Sequence, residues 1–240
     1  MFKKVLPHIE HGDKMETKGI GIPVVVGIIV VIAVVAAAAL LLSDSGGNPI
    51  PTPTGALIFD DFDDVTLGSN LANTSAGMMS GTGTYDPDFE FVPVDDGYAL
   101  KMTFDFPSGE WCGYWSFMRP DENPATPLIE VTTGYDLSTY TTLKMAVRGE
   151  PVGDSKVRFK TEITDTIFDT SSENAFLATQ NHRGTVLAEA GTSWEELDIP
   201  ITQFTSSGPD LDMSDVRQLN IVFDSIPREG TLYIDWIAFA

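Results

Sequence analysis

The sequence predicts an all-β domain, a sandwich or jelly roll of about eight or more antiparallel strands, carried behind one transmembrane helix. Three observations lead there. Short apolar segments recur after residue 55 with Gly, Pro, Asp and Ser between them. No stretch of that region has the period of a long amphipathic helix. One uninterrupted apolar run lies near the N-terminus.

The strongest strand closes the chain. Thr231 to Phe239 reads TLYIDWIAF, β-branched and aromatic with no breaker. Being apolar on both faces, it belongs in the middle of a sheet. Its single carboxylate, Asp235, is out of place there unless something satisfies its charge. Seven further strands are predicted over Ala56–Phe62, Tyr98–Phe106, Trp111–Met118, Thr142–Arg148, Lys156–Thr164, Ser193–Ile199 and Arg217–Asp224.

Period two is clear in two of these. Leu143, Met145 and Val147 alternate with Lys144, Ala146 and Arg148; Val157, Phe159 and Thr161 alternate with Arg158, Lys160 and Glu162. If the two strands are neighbours, Lys144, Arg148, Arg158, Lys160 and Glu162 share one exposed face. That face reads equally as a binding surface or as cross-strand charge pairing.

Ile20 to Leu42 carries no charged residue over 23 positions. At 1.5 Å per residue that is a helix of about 35 Å, enough to cross a hydrocarbon core of about 30 Å. Lys3, Lys4, Lys14 and Lys18 precede it, which places residues 1–19 in the cytoplasm and the large domain outside. No small-x-small cleavage site is clear among its alanines, so the run reads as an uncleaved, single-pass anchor in the cell membrane. No Cys follows to carry a lipid.

Residues 43–55, SDSGGNPIPTPTG, form a Pro/Gly/Ser stalk, and residues 56–240 form one domain with room for a full core. Asn73-Thr74-Ser75 matches a glycan acceptor. After the apolar run there are 10 basic and 32 acidic residues, a net of −22. An acidic exterior domain excludes nucleic acid as a partner, whose phosphates need Lys and Arg. A single Cys112 excludes an intrachain disulfide and reads as a buried small hydrophobe. His8 and His11 have no third ligand nearby and read as polar surface residues.

Several segments together resemble a known family. They are Leu57 to Asp63 (LIFDDFD), Tyr135 to Leu143 (YDLSTYTTL), Trp194 to Phe204 (WEELDIPITQF), Asp212 to Val216 (DMSDV) and Gly230 to Ile237 (GTLYIDWI). Their order resembles the galactose-binding-like jelly rolls, above all carbohydrate-binding modules of family eleven. It is also similar to the complex I intermediate-associated protein of thirty kilodaltons.

The resemblance implies a β-sandwich with a structural calcium near the chain ends, with Asp60, Asp61 and Asp235 as candidate ligands. Calcium takes six to eight oxygens, and carboxylates crowded at two joined termini repel unless a cation sits among them. The plain alternative is that Asp60, Asp61, Asp63 and Asp64 form a solvated acidic turn. The resemblance also implies a sugar groove of aromatic and polar side chains on one sheet. Trp111, Trp115 and Phe117 fall on one face of their strand, and Cys112, Tyr114 and Ser116 on the other. Trp115 and Phe117 are the expected core residues. That puts Tyr114 in the groove and Trp111 at its rim, with Lys144, Arg158 and Lys160 as further ligand contacts. The alternative reading is that all these aromatics are core. The stretch from Phe168 to Val186 is long and polar and reads either as a lid or as a long surface loop.

Lys18-Gly19 before the apolar helix resembles, more weakly, the class III signal of archaeal pilins, which implies processing after Gly19. No nucleophile elbow, phosphate loop or zinc motif occurs, and only His182 lies in the outer domain. The expectation is a non-catalytic, membrane-anchored extracellular module that binds carbohydrate. The alternatives are a pilin-like or envelope subunit and a β-sandwich hydrolase or lyase.

Overall fold

The computed structural model describes residues 50–71, 76–95, 97–118, 134–165, 183–206 and 211–240. The chain divides into two units, Met1–Ser45 and Gly46–Ala240. The predicted transmembrane run, Lys18-Gly19, the three histidines and Asn73 lie outside the described residues. Among the described residues no helix is long and apolar enough to cross a membrane.

Twelve strands make two antiparallel sheets, with no α-helix among the described residues. In chain order they are β1 (Leu57–Asp60), β2 (Ala76–Ser80), β3 (Asp88–Val94), β4 (Gly97–Asp105), β5 (Cys112–Phe117) and β6 (Thr142–Pro151). There follow β7 (Val157–Thr164), β8 (Arg183–Ala190), β9 (Glu195–Pro200), β10 (Thr205–Ser206), β11 (Gln218–Phe223) and β12 (Glu229–Phe239). The first sheet runs β3-β4-β12-β6-β9, with β1 also on β12; the second runs β10-β8-β7-β11-β5-β2. This is the predicted sandwich of jelly-roll type.

β12 is central, as its composition requires. It pairs with β6 along its length, with β4 up to Ile234↔Leu100, and with β1 from Ile237↔Asp60. The register slips between Ile234 and Trp236, so Asp235 occupies a β-bulge where β4 gives way to β1. A carboxylate is tolerated inside this strand because the bulge removes it from the ladder and leaves it half-buried.

The core lies between the sheets. Leu100, Met102, Phe104, Leu143, Met145, Val147, Leu232 and Ile234 come from the first sheet, and Cys112, Tyr114, Phe159, Leu219, Ile221 and Phe223 from the second. Phe104 stacks on Phe223 across the gap, with centroids 4.1 Å apart and planes at 17°. Such a pair contributes about 0.5–1.5 kcal/mol beyond its buried area. Outside the first sheet, Ile50, Ala56 and Ile58 pack on Ala146, Trp236 and Ala238. The Trp236 indole Nε1 donates to the Ile50 carbonyl at 2.6 Å.

Two expectations need correcting. β6 and β7 are not neighbours but lie in opposite sheets, so Lys144 and Arg148 do not share a face with Arg158, Lys160 and Glu162. The stretch expected to be lid or loop as far as Val186 ends earlier, since Arg183 already begins β8.

Candidate functional site

The outer face of the second sheet is built by alternation. Leu219, Ile221 and Phe223 of β11 enter the core, which turns Gln218, Asn220 and Val222 outward. Cross-strand register then sets the rows. Arg183, Thr164, Gln218 and Phe117 form one; Thr185, Glu162, Asn220, Trp115 and Gly77 form the next. Leu187, Lys160, Val222, Gly113 and Met79 form a third. Leu187 is 57% exposed there.

The aromatic end of this face packs against glycines. A Cβ on Gly77 would meet the Trp115 ring at 3.3 Å, and one on Gly81 would meet Trp111 Nε1 at 2.8 Å. Each indole therefore covers a position of β2, or just past its end, that only glycine leaves clear. Trp115 and Phe117 stand 4.8 Å apart at 54°.

The polar middle of the face is buried although it points away from the core: Glu162 is 4% exposed, Gln218 5% and Asn220 7%. Arg183 Nη1 donates to Glu162 Oε2 at 3.2 Å, and Asn220 Nδ2 donates to the same oxygen at 3.5 Å. Gln218 Nε2 donates to Asn220 Oδ1 at 2.7 Å. Burial pushes the Glu162 carboxyl above its ordinary value, against the pull of Arg183, Asn220 and Lys160. At the other end Arg158 pairs with Glu189 at 2.8 Å and Asp154 at 3.0 Å, and Lys160 pairs with Asp224. The hydrogen bonds from Arg158 and Lys156 hold Glu189 below the usual carboxylate range, and the Ser155 amide, helped by Arg158, does the same for Asp154.

The predicted ligand contacts separate. Trp111, Arg158 and Lys160 lie on this face. Tyr114 does not. It is fully buried between the sheets, and its hydroxyl donates to the Leu67 carbonyl at 2.9 Å. Trp115 and Phe117, expected in the core, are on the outer face instead. The two faces of β5 are thus the reverse of the expectation, because the sandwich interior takes Cys112 and Tyr114 while Gly77 of β2, with Gly81 just past it, leaves room for the larger rings. Lys144 is on the other sheet, held by Glu196 at 2.5 Å and Asp198 at 2.6 Å. Asn220 and Gln218 were missed, although Gln-Leu-Asn-Ile-Val-Phe alternates cleanly enough to place both opposite the core side chains.

The candidate metal residues also separate. Asp61 and Asp235 line one recess of about 140 Å³ with Asp63, Thr52, Ile50, Pro51 and Trp236. Asp60 is not on that recess. It is fully buried, its Oδ1 accepts from the Phe62 amide at 2.9 Å, and its Oδ2 has no partner. Burial, with Asp64 and Asp61 nearby, raises its carboxyl to about 8. Among the described residues no group of three His, Cys, Asp or Glu side chains is arranged to hold a metal ion.

A two-sheet jelly roll of this kind is the architecture of carbohydrate-binding modules. Residues 80–240 match the model of carbohydrate binding domain 30, and the chain belongs to that family. The family 11 module from Clostridium thermocellum, solved with a β-1,3-1,4-mixed-linked tetrasaccharide, is similar at a TM-score of 0.55 and 13% identity, over 78% of this chain and 96% of that one. The family 11 module of the cellulosomal cellulase Lic26A-Cel5E of Clostridium thermocellum is similar at 0.52 and 14%, over 78% and 95%. At these identities the likeness concerns the fold alone. No curated protein matches the sequence.

Proposed function

We propose that this chain binds a neutral glycan on the outer face of the second sheet and performs no chemistry on it. The observation that carries this reading is the pair of indoles, Trp111 and Trp115, laid over Gly81 and Gly77 beside buried amides. A flat ring takes the apolar face of a sugar, and a neighbouring amide takes one of its hydroxyls. The test is calorimetric titration of the full chain with a panel of neutral oligosaccharides, including the β-1,3-1,4-mixed-linked tetrasaccharide bound by the similar family 11 module. Binding that Trp115→Ala weakens more than about tenfold, with no release of reducing sugar, supports the reading. No binding to any member of the panel removes it.

Residues 20–42 anchor the chain in the cell membrane in this reading, with the domain outside and the expected stalk shortened to residues 43–49, since Ile50 already packs on Trp236. Extraction of the native protein only by detergent, and its digestion by protease added to intact cells, are the expected results.

Calcium is the proposed structural ion. Asp61 and Asp235 line one recess and offer hard oxygens from both ends of the domain, the donor type calcium takes; they are two carboxylates, so the remaining oxygens would come from backbone carbonyls and water. Asp60, with a carboxyl raised to about 8, is not in this set. Calcium is expected to raise the Tm of the full chain, and Asp235→Asn to abolish the shift.

A further inference from the structure

Gln218 ends a chain of hydrogen bonds that runs in one direction only. The chain starts at Glu162, whose Oε2 accepts from both Arg183 and Asn220. An oxygen accepting two N–H groups has no proton of its own to give along this line. Asn220 must therefore turn its NH2 toward Glu162 and its carbonyl toward Gln218. Gln218 in turn must give its NH2 to Asn220 Oδ1 at 2.7 Å. Turning either amide over would set acceptor against acceptor or donor against donor. The orientation of Gln218 is thus fixed from two residues away, and its carbonyl Oε1 is left as the free end. That atom is buried and has no hydrogen-bond partner. A buried carbonyl without a donor is costly, and native structures seldom retain one without a use. Gln218 sits beside Phe117 in the row next to Trp115, on the outer face and not in the core.

We infer that Gln218 Oε1 is the specificity-determining acceptor of the site, oriented by Asn220 and Glu162 to receive the proton of one ligand hydroxyl. This rests on the glycan reading above and deepens it. The ligand class that follows is a glycan with a free hydroxyl over Phe117 and Trp115; a chain whose hydroxyls are capped by methyl or acetyl groups there has no proton to give and leaves the carbonyl unpaired. Asn220 and Glu162 are positioning residues. They touch no ligand atom but decide which end of the Gln218 amide is left without a partner.

The test uses the full chain, the mixed-linkage tetrasaccharide with a panel of other neutral oligosaccharides, and the same sugars in O-methylated form. Gln218→Met keeps the length and removes both amide groups. It is expected to weaken the tetrasaccharide, or whichever panel member binds, more than about tenfold while Tm changes little, because the lost bond to Asn220 is offset by removal of an unpaired carbonyl. Wild type is expected to prefer the free sugar to its methylated form, and Gln218→Met to lose that preference. Asn220→Leu, which removes the acceptor that holds the Gln218 NH2 and frees the amide to turn over, is expected to blunt the same preference through Gln218. Affinity and preference unchanged in Gln218→Met, with wild type binding normally, overturn the inference and make the chain a structural strut only. A wild type that binds no neutral sugar overturns the glycan reading itself and this inference with it.

Discussion

Asp60 carries a titration that the fold has to accommodate. Its carboxyl is fully buried and raised to about 8 from 3.8. Between those values the unfolded chain has lost the proton and the folded chain still holds it. Folding then takes up a proton, so the contribution of Asp60 to stability is greatest below about pH 4 and falls as pH rises toward about 8, by about 1.4 kcal/mol per unit at most. Asp60→Asn keeps the acceptor for the Phe62 amide and has nothing to ionise. Urea unfolding across about pH 5 to about pH 8 is expected to show a falling stability in wild type and a flatter one in the variant, the gap widening with pH. Equal slopes refute the assignment.

Tyr114 gives the matching control on the other side of β5: Tyr114→Phe leaves the Leu67 carbonyl without its donor and is expected to cost about 1 kcal/mol in denaturant unfolding while glycan affinity stays unchanged. Both residues were visible in the sequence as a carboxylate and a ring. What was not visible is the direction each side chain takes. For Asp60 a register shift between Ile58 and Asp60 decides it, and for Tyr114 it is Gly77 of β2, an edge strand, with Gly81 just past it.

At the scale of elements, β12 organises the domain through its two unlike partners on one side. β4 holds its first half and β1 its second, and Trp236 follows the bulge between them. The indole is 1% exposed, covers Ala146 and Ala238, and donates to Ile50. Trp236→Ala is expected to cost about 3–5 kcal/mol in chemical denaturation. It is also expected to speed amide exchange in residues 50–56 before any core strand, since it removes their main contact. Uniform acceleration across all strands would show that this segment is not a separate layer.

The predicted strands were those with β-branched or aromatic runs. β12, β6 and β7 announce themselves by composition and period two. β2, reading Ala-Gly-Met-Met-Ser, and β3, reading Asp-Phe-Glu-Phe-Val-Pro-Val, did not, because glycine in one and proline with charges in the other are what an edge strand uses. The site was obscured for the same reason. Without β2 there was nothing for Trp111 and Trp115 to lie on, and the heavier face of β5 read as core. Nor does period two say which sheet a strand joins, which is how Lys144 came to be placed beside Arg158.

At the scale of the whole molecule, charge bears on the kind of glycan the proposed face would take. The chain is strongly acidic, with a formal net charge of −21. Cations do occur on the second sheet, but each is engaged: Arg158 by Glu189 and Asp154, Lys160 by Asp224, and Arg183 by Glu162. A sulfated or uronate polymer would have to displace these carboxylates and then approach a surface of its own sign. At about 0.15 M salt the Debye length is about 8 Å, too long to hide a charge lying on the sheet. A neutral chain meets none of this, since ring stacking and hydroxyl hydrogen bonds do not depend on ionic strength. Affinity for the mixed-linkage tetrasaccharide is therefore expected to change less than about twofold between about 0.05 and 0.5 M NaCl, and acidic polysaccharides are expected not to bind at the lower salt. Tight, salt-sensitive capture of an acidic polymer would show that at least one of these ion pairs opens to the ligand, and the neutral-glycan assignment would fall with it.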